Sequence, residues 1–129
     1  MTDDAASETG EAHIDDSVLD RTADRFDVDA GTIADALVVL HADLIGRHSA
    51  FETDHEYATV DDTRAYRVPE STWDDLREEF DFEDRVGDAV EFAHTEQAKL
   101  VFAEAHDADE RFEEDDRGVV AGIDTAEDF

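Results

Sequence analysis

Between Thr32 and His48, apolar side chains recur every three or four residues. Ile33, Leu37, Leu40 and Leu44 form one line along a helix face, and Ala34, Val38, His41, Ile45 and His48 form a second line beside it. Asp35, Asp43 and Arg47 leave only a narrow polar strip. A helix apolar over so much of its circumference is expected to be surrounded by its own protein. This stretch therefore predicts the long central helix of the domain.

The pattern on either side predicts the remaining elements. Asp15 or Asp16 suits the N-cap of a first helix, whose buried face is Val18, Leu19, Thr22, Ala23 and Phe26. The period then changes from helical to alternating over 55–68. His55–Val60 and Arg64–Val68, rich in strand-favouring residues and separated by Asp61-Asp62-Thr63, predict a β-hairpin that must lean on the helices. Pro69 ends it, and Ser71 is the expected cap of a short helix burying Trp73, Leu76 and Phe80. A last helix runs from after Phe82 to about Ala105, with Val86, Ala89, Val90, Ala93, Leu100 and Val101 as its apolar face. The fold class is mainly α (α+β), one compact domain over 15–106 in the order α-α-β-β-α-α. Residues 1–14 and 107–129 read as disordered acidic tails. Within the second tail, Val119, Val120 and Ile123 predict either a short edge strand over 118–123 or a docking segment.

Charge changes this picture more than any motif does. Thirty-nine acidic residues stand against ten basic ones, for a net charge of -29. Residues 1–16 carry -6 and residues 107–129 carry -8, which leaves -15 on the ninety residues between. The folded part is itself strongly acidic, and self-repulsion would destabilise it in dilute salt. At molar salt the Debye length falls to about 3 Å and the repulsion largely disappears. Nine arginines accompany one lysine, Lys99, and cysteine is absent. This composition resembles that of cytoplasmic proteins of salt-in halophilic archaea, and the resemblance implies a habitat. The missing thiols exclude a disulfide framework and a thiolate zinc site. The N-terminus has neither a basic region nor an apolar run, and Ile33–Ile45 is too short to span a bilayer. A cytoplasmic protein with no membrane partner is expected.

Residues 23–37 resemble a helix-turn-helix. Ala23, Asp27-Val28, Thr32-Ile33 and Ala36-Leu37 fall in that register, and the hairpin downstream resembles a wing. The resemblance implies a winged-helix-like, dimeric DNA-binding regulator, with Thr32, Arg47, Arg64 and Arg67 as its nucleic-acid residues. The turn, however, carries Asp27 where glycine is usual. The start of the would-be recognition helix offers no Arg, Lys, Asn or Gln to base edges. The wing tip is Asp61-Asp62, and Arg64 and Arg67 lie on opposite faces of their strand. Nucleic acid is the less favoured partner.

His41, His48 and His94 are the candidate metal ligands, with Glu91–His94 and Glu52–His55 at ExxH spacing. That spacing resembles the paired ligands of di-iron bundles, which also need bridging glutamates on further long helices. In an acidic chain such pairs arise easily, and the simpler expectation is partly buried imidazoles donating to backbone or carboxylate groups. No residue takes a catalytic role. There is no GxSxG turn, no glycine-rich phosphate loop, and no carboxylate pair that stands out from the rest. No cofactor is implied. Val39 and Ala42 on the central helix, and Phe92 and Phe102 off the main stripe of the last, are the candidate interface residues. The leading expectation is a non-enzymatic interaction or adaptor protein, with a protein partner or a second copy. The DNA-binding regulator stands second and a small metal-binding protein third.

Overall fold

A computed structural model describes residues 14–60, 63–106 and 116–122. It is mostly helical with a small three-stranded antiparallel sheet. Helix α1 spans Asp16–Phe26 and α2 spans Ala30–Leu44. A 3-10 turn, Ile45–Arg47, leads into the short α3, His48–Asp54. Strands β1 (Glu56–Val60) and β2 (Thr63–Pro69) form the hairpin. Helices α4 (Glu70–Phe80) and α5 (Asp84–His106) follow, and β3 is Asp116–Gly122. The expected order holds, with α3 and β3 added.

Local chemistry sets the boundaries. Helices α1 and α4 both stop at an aspartate in the left-handed region, Asp27 at φ 55° and Asp81 at φ 54°. Aspartate tolerates that conformation because its short side chain bonds locally. The Asp29 carboxylate accepts from the Gly31 amide at 3.0 Å and caps α2. Helix α4 begins at Glu70 with Pro69 at its N-cap, so Ser71 is not the cap.

The central element is α5, not α2. Helix α5 packs against α1, α2 and all three strands, and at 23 residues it is about 35 Å long. Helix α2 buries its first line, Ile33, Leu37, Leu40 and Leu44, and Ala34 from the second. Its second line is only half-buried at Val38 and His41 and exposed at Ile45. The buried face of α5 includes Ala89, Val90, Ala93, His94, Ala98, Val101 and Phe102. Phe102 is therefore core, not interface, while Leu100 points outward. Gln97 also faces inward, because its Oε1 accepts the Asp15 amide at 2.8 Å. That bond carries the chain entry inside, and Ile14 is buried in the core beside it. The domain thus begins before Asp15 and ends after His106.

Strand order is β1-β2-β3, with Ala58, Ala65 and Val120 in register across the sheet. Val119, Val120 and Ala121 are fully buried, so this part of the second tail is a core strand. Ile123, the Asp61-Asp62 turn and the remainder of both tails lie outside the described residues. Helix α5 and β3 approach closely at Gly118. A Cβ there would sit 2.3 Å from the Ala98 Cβ and 3.2 Å from both the His94 carbonyl oxygen and the Thr95 Cα. Two of those neighbours are helix backbone and cannot step aside. Gly118→Ala should cost about 1–3 kcal/mol, as overpacking does, read as a lower denaturant midpoint at fixed salt. Gly46→Ala, where a Cβ meets nothing within 4 Å, is the control and should leave the midpoint near wild type.

Candidate functional site

An edge strand leaves every second N–H and C=O without a ladder partner. On β3 the outward amides are those of Gly118, Val120 and Gly122, and side chains from two helices satisfy all three. Gly118 N–H donates to Thr95 Oγ1 at 3.1 Å and Val120 N–H to His94 Nδ1 at 3.0 Å. Gly122 N–H donates to His41 Nε2 at 2.9 Å. The Gly118 carbonyl accepts from Trp73 Nε1 at 2.9 Å. Helices α2, α4 and α5 thus each hold β3 by its backbone, and the edge is closed to further strands.

This geometry assigns a tautomer. His94 accepts at Nδ1, so its proton sits on Nε2, which is buried without a hydrogen-bond partner among the described residues. Burial, and secondarily the charge His41 would carry, push the His94 pKa down from 6.5 to about 3. The ring packs against Trp73, with centroids 5.3 Å apart. His41 and His94 each spend a ring nitrogen on β3, so they accept from backbone where donation was expected. The side chain of His48 lies outside the described residues. Among the described residues, no three His, Cys, Asp or Glu side chains are grouped to hold a metal ion.

The arginines of the DNA-binding reading are spent on carboxylates. Arg47 bridges Asp43 (2.5 Å) and Glu79 (2.6 Å). Arg64 pairs with Glu52 and lies 4.4 Å from the centre of the Tyr57 ring, and Arg67 pairs with Glu56. Thr32 is exposed on α2. The hairpin is also no free wing, since β2 is the middle strand.

A cleft of about 820 Å³ opens where α1, α4, α5 and the start of β3 meet. At its floor Glu91 takes Arg77 at 3.1 Å and Arg117 at 2.7 Å. Those arginines also reach Asp88 and Glu70. Burial alone would lower the Arg77 pKa, but its hydrogen bonds to Asp88 and Glu91 raise it above its ordinary value. The cations here neutralise the protein's own acids and tie α4, α5 and β3 together.

Of the candidate interface residues, Val39 is 56% exposed and Ala42 is also exposed. Phe92 is half-buried, edge-on to Phe26 at 5.5 Å under the Arg25 guanidinium. Ile45, 47% exposed, joins Val39 and Ala42 on one face of the α2 end. Exposed Tyr57 on β1 is a second addition. Ile45 was masked in the sequence by falling on the second apolar line, and Tyr57 by the alternation of the hairpin.

A family model described as "Domain of unknown function (DUF8048)" matches residues 12–123, most of the chain. The chain belongs to this family. The DUF8048 match contains both Ile14 and β3, so the sealed edge lies within the family domain. No curated protein and no solved structure matches the chain.

The buried, neutral His94 of the sealed edge predicts that this DUF8048 protein loses stability in acid. As pH falls through about 6.5, an unfolded His94 takes up a proton, whereas the folded one stays neutral to about 3. Stability is therefore full above pH 6.5 and is lost between 6.5 and 3, by up to about 1.4 kcal/mol per pH unit. His94→Asn keeps an acceptor near the Nδ1 position but cannot titrate. Denaturant midpoints at constant salt from about pH 7.5 to about pH 5 should fall for wild type and fall less steeply for His94→Asn.

Proposed function

We propose that this protein is a non-enzymatic interaction module that associates with itself through the exposed end of α2, in a cytoplasm of high salt. The observation that carries the reading is the apolar face of Val39, Ala42 and Ile45, on a chain of net charge -29 and mean hydropathy -0.59. Spacings of three place the three side chains along one side of the helix and its 3-10 extension. A protein this acidic has abundant polar residues for its surface, and two large aliphatics left together in water favour a covering partner. A second copy presents the same patch, which a two-fold interface requires. Two such copies repel each other in dilute salt, so association should strengthen as salt screens them. No helix among the described residues is long and apolar enough to cross a membrane. The carboxylate pairing of Arg47, Arg64 and Arg67 makes these three arginines less available to the phosphates of duplex DNA.

Light scattering coupled to size exclusion tests the reading at about 2 M and about 0.1 M KCl. A dimer at high salt is expected, reduced to monomer by the double substitution Val39→Glu, Ile45→Glu with far-UV circular dichroism unchanged. A wild-type monomer at every concentration, or a variant that still dimerises, would overturn it. Co-elution with duplex DNA would favour the regulator instead.

A further inference from the structure

The cleft between α1, α4, α5 and the start of β3 gathers four of the chain's ten basic residues, Arg25, Arg77, Lys99 and Arg117. Three of them are matched. Arg77 and Arg117 share Glu91 and also hold Asp88 and Glu70, and Lys99 pairs with Glu96 at 3.2 Å. Arg25 is the exception. Among the described residues no carboxylate pairs with it, and its guanidinium lies over two rings instead, 5.6 Å from the centre of Phe26 and 4.9 Å from that of Phe92. On the α4 wall the Asp74 carboxylate is unmatched in the same way, with no cation or side-chain donor against it among the described residues. Thr95 adds a third unspent group. It is only 8% exposed, and its Oγ1 accepts the Gly118 amide, which leaves the hydroxyl hydrogen without an acceptor among the described residues.

The floor of the cleft brings these groups together. Glu91, Thr95 and Lys99 follow one another at spacings of four along α5, with Asp88 and Phe92 beside them. Trp73 packs on His94 and Arg77 reaches Glu91, so Asp74 stands on α4 at the level where Arg25 covers Phe92. Charge then sorts the ligands. A simple anion meets the field of a chain of net charge -29, and a simple cation is left beside an unmatched guanidinium. A molecule bearing both a carboxylate and an ammonium group answers both unmatched charges and brings no net charge. An apolar body between them lies against the half-buried Phe26 and Phe92. We infer that this cleft binds a small zwitterion, an amino carboxylate with an aromatic or apolar body, with its carboxylate on Arg25 and Thr95 and its ammonium on Asp74. Its volume of about 820 Å³ suits a small organic molecule. None of these residues lies on the exposed end of α2, so the inference does not rest on self-association.

The test is a nuclear magnetic resonance titration of the isotope-labelled full chain in about 2 M KCl, where screening suppresses loose attraction of cations to the acidic surface. The probe is para-aminomethylbenzoate. Its truncated forms are para-methylbenzoate, which lacks the ammonium, and benzylamine, which lacks the carboxylate. The probe should shift amides around Arg25, Asp74 and Phe92–Thr95, and each truncated form should bind about tenfold more weakly or worse. Arg25→Gln should weaken the probe and para-methylbenzoate while leaving benzylamine unchanged. Asp74→Asn should weaken the probe and benzylamine while leaving para-methylbenzoate unchanged. Both side chains are exposed, and far-UV circular dichroism should match wild type. If either variant fails to fold, the wild-type ranking of the three ligands still decides. No binding of the probe, shifts confined to other elements, equal affinity for all three ligands, or unchanged probe affinity in both folded variants would overturn the inference.

Discussion

The docking of β3 is the constraint on which the rest of this structure depends. A strand buried at the edge of a sheet must find partners for the amides that face away from the ladder, and each one left unmet costs about 1–3 kcal/mol. Here Thr95, His94 and His41 accept from the Gly118, Val120 and Gly122 amides, and Trp73 donates to the Gly118 carbonyl. One strand is thereby fastened to three helices. The close approach also demands a residue without a side chain at Gly118, where the strand passes over Ala98 and the backbone of α5. The same bonds require His94 to stay neutral with a defined tautomer, which couples the fold to proton uptake.

Around that core the charge distribution is divided. Arg77 and Arg117 converge on Glu91 and bind α4 and β3 to α5, while Arg47, Arg64 and Arg67 are matched to acids nearby. Exposed pairs of this kind contribute little each. Their effect on function is subtractive, since they remove cations from the surface. Among the described residues the outward-facing uncharged features include the aliphatic end of α2, Leu100 and the edge strand β1. The first of these is the surface suited to a second copy.

The helices and the hairpin were legible because their periods are strong. Ile33, Leu37, Leu40 and Leu44 lie buried along α2 as their spacing requires, and the hairpin pairs Glu56–Val60 with Thr63–Arg67. The centre of the fold is not legible in hydrophobicity, which is a poor measure of which helix the others surround. Helix α2 is the more apolar, yet α5, with alanines, a histidine and a glutamine on its buried face, occupies the middle. Small residues there permit close packing of the sheet, and the polar ones are buried because they have bonds to make. The same substitution of chemistry for hydrophobicity moved Phe102 inward and Leu100 outward.

The sequence by itself determined the four longer helices and the hairpin, their order, the acidity of the chain, and its lack of thiols. Those properties are local or additive, and follow from periodicity and composition. Only the tertiary structure decided that a segment resembling an acidic tail supplies a core strand, and that His41 and His94 are acceptors for it. Only the tertiary structure showed that the β3 edge of the sheet is sealed. These facts rest on contacts between residues as much as 81 positions apart, as between His41 and Gly122. Such pairings leave no periodic trace in a single chain, because the backbone groups that need partners are the same at every residue.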